Sequence, residues 1–434
     1  MHHPLRVAIV GAGWAGLTAA VELVTAGVRP VVFEAGRQLG GRARTSEIDG
    51  RIVDNGQHLL IGAYRETLRL LRTVGASPEA LLHRAPLTLD YPAAGLRLAL
   101  PRLPAPLHLA AGLCSARGCT LKEKLAASRL ALSLQKNRYR VTPDCSVAEL
   151  LDAHGQHGPL RKGLWEALCL AALNTDPRQA SAQIFANVLR DSLGGRRTDT
   201  DLLLPAVDLG RLFPEPAADF VCRHGGEIRT GARVDNLPAL LASGEFDRVI
   251  LAVAPQHAAK LLATQPQTAP LADQLGQYAY EPIGTLYADY PPDLGLPAPL
   301  LGLPGTLGHA SGQGIGQWVF DRGALLGTPG RLAFVLSAQG AWDDLDDPAL
   351  AALLHDELES TLGRPLPRPL WVRSIRERRA TFACHPNLPR PAPHTPDPRL
   401  WLAGDYVCAD YPATLEGAVR SGVTAARALL ASHA

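Results

Sequence analysis

The sequence predicts an α/β protein in which a parallel-sheet unit is interrupted by a second, mixed α+β unit, and three observations carry that expectation. Residues 7–10, Val-Ala-Ile-Val, run into Gly11-Ala12-Gly13-Trp14-Ala15-Gly16 and then into Leu17, Ala20, Val21 and Val24 at helical spacing. A second β-branched run, 30–33, ends in the acid Glu34. Far downstream, Leu400-Trp401-Leu402-Ala403-Gly404-Asp405 is an apolar strand closed by Gly-Asp, and an Ala-rich helical stretch follows it.

The first element reads as strand, tight turn, helix. Gly11 permits the turn, Gly13 lets the backbone approach a pyrophosphate, and Gly16 lets the helix pack closely on the sheet. Trp14 and Ala15 open that helix, whose N-terminal N–H groups face the anion. Glu34, followed by Ala35, stands about 20 residues past the turn, where an acid accepts hydrogen bonds from a ribose hydroxyl. A lone G-x-G-x-x-G is a weak signal. Strand, turn, helix, second strand and terminal acid in this order point to a Rossmann-like dinucleotide-binding unit, without separating NAD from FAD.

Composition excludes several classes. The 434 residues are 47% hydrophobic and 19% charged, enough apolar content for a large core and too much for a disordered or collagen-like chain. A net charge of +2 gives no global case for nucleic acid, and the 38 Arg are scattered among 41 acids. Seven Cys with no Cys-x-x-Cys pair exclude common zinc and iron–sulfur patterns and suit a reduced, cytoplasmic setting. His154 and His157 lack a neighbouring ligand set, so no metal is expected. No secretory signal precedes the first strand, and no window holds 18 uninterrupted apolar residues.

Gly40-Gly41-Arg42-Ala43-Arg44 follows the ribose acid, and Asp54-Asn55-Gly56-Gln57-His58 comes soon after. With Gly404-Asp405, with Thr414-Leu415-Glu416-Gly417 opening the last helix, and with residues 225–234, these blocks resemble the flavin-containing amine oxidoreductase superfamily, which includes monoamine oxidases and carotenoid desaturases. The resemblance implies non-covalent FAD. It assigns Asp405 to the ribityl-phosphate chain, Arg42 to a phosphate, the backbone of Val234 to the adenine, and the helix start at Thr414 and Leu415 to the flavin's pyrimidine end. Gly56, Gln57 and His58 run back toward the flavin in the same reading. The cofactor blocks then occupy 1–62, 205–265 and 370–434, leaving 63–204 and 266–369 for substrate. Helical patterns at 121–134 and 164–173 fall in the first of these stretches, and alternating segments at 285–290 and 317–320 suit an antiparallel sheet flooring a pocket.

Residues 11–17, 54–64, 173–177, 202–205 and 209–214 are more narrowly similar to the hydroxysqualene dehydroxylase family, squalene-associated FAD enzymes of hopanoid synthesis. That resemblance implies an apolar isoprenoid substrate and reductive removal of an allylic hydroxyl, hydroxysqualene giving squalene. An external electron donor is expected, because no second dinucleotide motif occurs. His58, Asp410 and Tyr411 are the candidates for delivering the proton, the last two because they shortly precede the flavin-facing helix. A carotenoid-type desaturase or an amine oxidase runs electrons the other way, and Thr414, where amine oxidases place an aromatic, argues against amines. A non-enzymatic FAD-binding interaction protein is the alternative from another class. Finally, residues 101–142 hold eight basic side chains against one acid, interleaved with leucines. This predicts peripheral contact through 101–140 with the inner face of the cytoplasmic membrane.

Overall fold

Val7–Val10 is buried along its whole length and forms the middle of a five-stranded parallel sheet. The structure, a computed structural model, describes residues 5–308 and 314–433. The sheet runs Glu227–Thr230, Val31–Glu34, Val7–Val10, Arg248–Leu251, Leu400–Leu402, every neighbouring pair parallel. Numbered along the chain this is the doubly wound order in which the direction of strand progression reverses beside Val7–Val10, and such folds bind ligands at that reversal. The central strands are continuous apolar runs rather than alternating ones, as sheets covered on both faces require. Helix Trp14–Thr25 returns over the sheet and packs against both Leu415–Ala431 and Pro214–Arg223.

A second, antiparallel sheet has the order Leu300–Gly302, Trp318–Asp321, Arg331–Ser337, Tyr280–Asp289, Trp371–Phe382. Its side chains alternate between two destinations. Val319, Phe334, Leu336 and Leu286 pack under helix Asp347–Leu362, which supplies Leu350, Leu354 and Leu358. Trp318, Phe320, Val335, Ile283 and Ile375 point the other way, into a cavity. Trp371–Phe382 serves both units: it pairs with Tyr280–Asp289 along its length, and near its end the Ala380 carbonyl accepts a hydrogen bond from Arg42 Nη1.

Residues between these sheets form the cavity's remaining wall. Leu202–Pro205 pairs with both Leu60–Ile61 and Leu82–Ala85, and Thr88–Tyr91 pairs with Leu96–Ala99. Helix Leu121–Lys136 begins in a capping box, Thr120 accepting from the Glu123 N–H while Glu123 accepts from the Thr120 N–H. Helix Ala167–Leu173 ends at Asn174, whose φ of 47° is left-handed. The Asn174 amide donates to the Pro282 carbonyl and Thr381 Oγ1 and accepts from the Ala338 N–H, tying the helix end to the second sheet.

Candidate active site

One cavity of about 1390 Å³ lies between the two sheets and is continuous from the Gly-rich turn to the apolar wall. At the first end Gly11 has φ 107°, a conformation that a side chain would strain. A Cβ on Gly16 would collide with the Gly11 carbonyl, so the helix can lie this close to the turn only with glycine there. Helix Trp14–Thr25 has no side-chain cap and no acid in its first turn. Its leading N–H groups are left for an anion in the cavity that Gly13, Trp14 and Ala15 line. Trp14 is anchored by its indole N–H on the Ala43 carbonyl at 3.0 Å. Glu34 Oε2 accepts from the Ala12 N–H and Oε1 from the Gly36 N–H, both at 2.8 Å, which fixes the carboxylate at the rim beside Ala35 and Val234. A capless helix start, a side-chain-free turn and a fixed acid together fit a dinucleotide.

Gly40, Gly41, Arg42, Gly404 and Asp405 line the same cavity. Arg42 Nη2 lies 2.6 Å from Asp405 Oδ2. Burial works against the guanidinium's charge, but the Asp405 carboxylate, with smaller contributions from Glu377 and Tyr280, holds Arg42 more firmly protonated than usual. The side chain expected on a phosphate is thus committed to the carboxylate expected on the ribityl chain. Arg390, which the sequence reading passed over in a Pro-rich loop, donates to the carbonyls of Asp405, Tyr406 and Cys408 and fixes the whole 405–408 turn. Asp54 and Arg322, 2% and 3% exposed, form an ion pair of 2.9 Å, and Arg322 also donates to Gln57 Oε1. The second sheet thereby sets the loop that presents Gly56, Gln57 and His58.

The proton-donor candidates separate clearly. His58 Nδ1 sits 2.9 Å from the Gly56 carbonyl, which only accepts, so Nδ1 carries the hydrogen and Nε2 the lone pair. Burial lowers the His58 pKa, against raising contributions from Gly56 and Asp54, so the ring is held neutral and is an acceptor toward the cavity it lines. Asp410, expected near the substrate, is exposed in the turn before Tyr411 and does not line the cavity, because the chain dips inward only at the next residue. Tyr411 does line it: the residue is 1% exposed, and its hydroxyl has no protein partner. Burial raises its pKa, the cation of Arg420 over the ring at 4.3 Å pulling the other way, so the phenol stays protonated. Beside it, the Tyr64 hydroxyl bonds Thr414, another lining residue, which also caps helix Leu415–Ala431 through the Gly417 N–H. Tyr64 falls within the family-like stretch 54–64, yet no sequence signal marks it as facing this end.

The apolar part of the lining comprises, among others, Leu87, Leu89, Leu168, Val188, Leu189, Trp318 and Phe320. The apolar stretch of the lining suits an elongated apolar ligand, and Tyr411 and His58 both line the same cavity. Among the described residues, no group of three or more His, Cys, Asp or Glu is placed to hold a metal ion, and no helix is long and apolar enough to cross a membrane.

Comparison with known proteins bears on this geometry. The model of the family described as flavin containing amine oxidoreductase matches residues 14–430. A hydroxysqualene dehydroxylase of Rhodopseudomonas palustris is 33% identical, with 98% of each chain covered. A 15-cis-phytoene desaturase of Arabidopsis thaliana is 26% identical, covering 96% of this chain and 79% of the plant protein. A triple mutant of putrescine oxidase superposes with a TM-score of 0.69 over 99% of both chains at 17% identity, a likeness of fold.

Proposed function

The chain belongs to the flavin-containing amine oxidoreductase family, an oxidoreductase by that membership, and we propose that it reductively removes the allylic hydroxyl of hydroxysqualene to give squalene, using non-covalently bound FAD. The observation that carries this reading is a single cavity lined both by the cofactor blocks and by a long apolar wall, with Tyr411, whose hydroxyl lacks a protein partner, among its residues. Similarity along 98% of the chain to a dehydroxylase supports it.

The reaction consumes an alcohol, a hydride and a proton and yields a hydrocarbon and water. When bound and reduced, the flavin supplies the hydride to the allylic carbon. Tyr411 donates a hydrogen bond to the departing oxygen. Its raised pKa makes it a reluctant acid, but departing hydroxide is a far stronger base than phenolate, so transfer becomes downhill as the C–O bond breaks. His58, an acceptor through Nε2, orients the substrate hydroxyl. The apolar wall keeps out water that would recapture the allylic cation. An external donor of two electrons restores the reduced cofactor, and the reaction belongs to the cytoplasmic side of the membrane.

Anaerobic mixing of the reduced protein with hydroxysqualene tests the reading. One squalene should form per flavin as the oxidised absorbance returns; an unchanged reduced spectrum without squalene overturns it. The second reading, a desaturase, is favoured by the similarity to a phytoene desaturase, and bleaching of the oxidised protein by a linear polyene would select it.

A further inference from the structure

Helix Leu121–Lys136 has two apolar faces, and the fold covers only one. Ala127, Leu130 and Leu134 are buried. Leu121, Leu125 and Leu132 are exposed by 72%, 48% and 64%. At about 100° per residue the exposed three fall within about 40° of one another, and the buried three lie about 180–240° round the axis from Leu121. Leu103 and Leu107, at the approach to the neighbouring helix Leu107–Ser115, are exposed as well. Five of the eight large hydrophobic side chains exposed among the described residues therefore belong to this one helical hairpin.

The charge of the hairpin is equally unpartnered. Along the chain the flanking ion pairs are Arg97 with Asp90 and Arg161 with Asp152, and between residues 97 and 152 none occurs among the described residues. The eight basic residues of 101–142 thus lack carboxylate partners, whereas most of the other described arginines have one. The single acid, Glu123, is spent on the Thr120 N–H, the Thr120 hydroxyl and the Leu160 N–H. Lys122, Arg129 and Lys136 lie about 60–100° from Leu121, along one edge of the leucine stripe. Long basic side chains beside an exposed apolar stripe suit an interface where stems lie in hydrocarbon and heads reach phosphate.

The hairpin is also one layer from the cavity. Leu87 and Leu89 line it, the Leu100 N–H bonds the Leu87 carbonyl, and helix Leu107–Ser115 packs on Leu96–Ala99, the partner strand of Thr88–Tyr91. We propose that this hairpin docks the protein on an anionic lipid bilayer, its exposed leucines among the acyl chains and its basic edge on the headgroup phosphates. A second copy of the chain is a poor occupant, since it would set two unpaired basic edges against each other. The docking rests on the isoprenoid reading only for what the bilayer delivers to the cavity.

Flotation of the flavin-loaded protein with vesicles tests it. Wild type should float with phosphatidylglycerol/phosphatidylcholine vesicles and at least tenfold less with pure phosphatidylcholine. A Lys122→Glu/Arg129→Glu/Lys136→Glu variant and a Leu121→Ser/Leu125→Ser/Leu132→Ser variant should each lose at least tenfold in partitioning, with unchanged flavin spectrum and melting temperature. Equal flotation of wild type and both variants, or no flotation of wild type, overturns the proposal. So does light scattering in which the leucine variant converts a dimeric wild type to monomer. Because no substrate is present, failure to float leaves the dehydroxylation reading untouched, and failure to reduce hydroxysqualene leaves the docking surface standing.

Discussion

Burial acts in opposite directions on Tyr411 and His58, and the consequences differ. It keeps the Tyr411 phenol protonated and the His58 ring unprotonated. Tyr411→Phe removes a hydroxyl that has no protein partner. Stability should therefore change by less than about 1 kcal/mol, whereas single-turnover reduction should slow by about 10²-fold or more with flavin content unchanged. A merely structural tyrosine would show neither the slowing nor the neutrality. For His58 the unfolded chain takes up a proton below about pH 6.5 while the native ring resists it, so the unfolded state binds more protons and stability falls as pH drops through that range. Urea titrations should show wild type losing more stability between about pH 7.5 and 5 than His58→Gln, which has no such proton to bind; parallel losses would remove His58 as the buried neutral group. At the rim, Glu34→Ala deletes the acceptor of two backbone N–H groups and of the ribose expected there. FAD affinity should fall by about 1–3 kcal/mol by fluorescence titration.

Helix Leu415–Ala431 shows how one side chain unites two elements. Glu416 is fully buried in its first turn and accepts from the Glu66 N–H, the Thr67 N–H, the Thr67 hydroxyl and Arg420 Nε. Its carboxylate lies at the positive ends of two helices at once, its own and Arg65–Thr73. Glu416→Ala strands two helix N–H groups and part of the Arg420 charge, and by urea melts should cost about 3–5 kcal/mol. Glu416→Gln preserves the shape and part of the bonding and should cost less. Helical periodicity reveals that Glu416 opens a helix; that its carboxylate caps a different helix, some 350 residues earlier in the chain, has no local signature.

The two five-stranded sheets face a shared cavity, so a ligand bound between them would help to hold them in place. Removing the flavin should lower the melting temperature, and returning FAD at about 100 times its dissociation constant should restore about 2.7 kcal/mol. FMN should restore less, because the rim formed by Glu34, Ala35 and Val234 has nothing to hold without the adenosine half. Equal rescue by both would remove that rim from the site. Much of this architecture was legible because it is local and periodic: Val7–Val10 with its glycines, the second strand ending at Glu34, the alternation of Trp318, Val319 and Phe320, and the helical spacing of 121–134 each report one backbone geometry and one buried face. What only the tertiary structure decided depends on groups that meet across the chain. Arg42 finds Asp405 across 363 positions and Arg322 finds Asp54; of the neighbours Asp410 and Tyr411, only the second is buried beside the cavity. Leu121 and Leu130 are identical letters in one helix, and which of them meets the core is set by packing against the rest of the protein. Periodicity records the repeat of a surface, whereas a long-range ion pair or an unpartnered hydroxyl is a single event with no repeat to read.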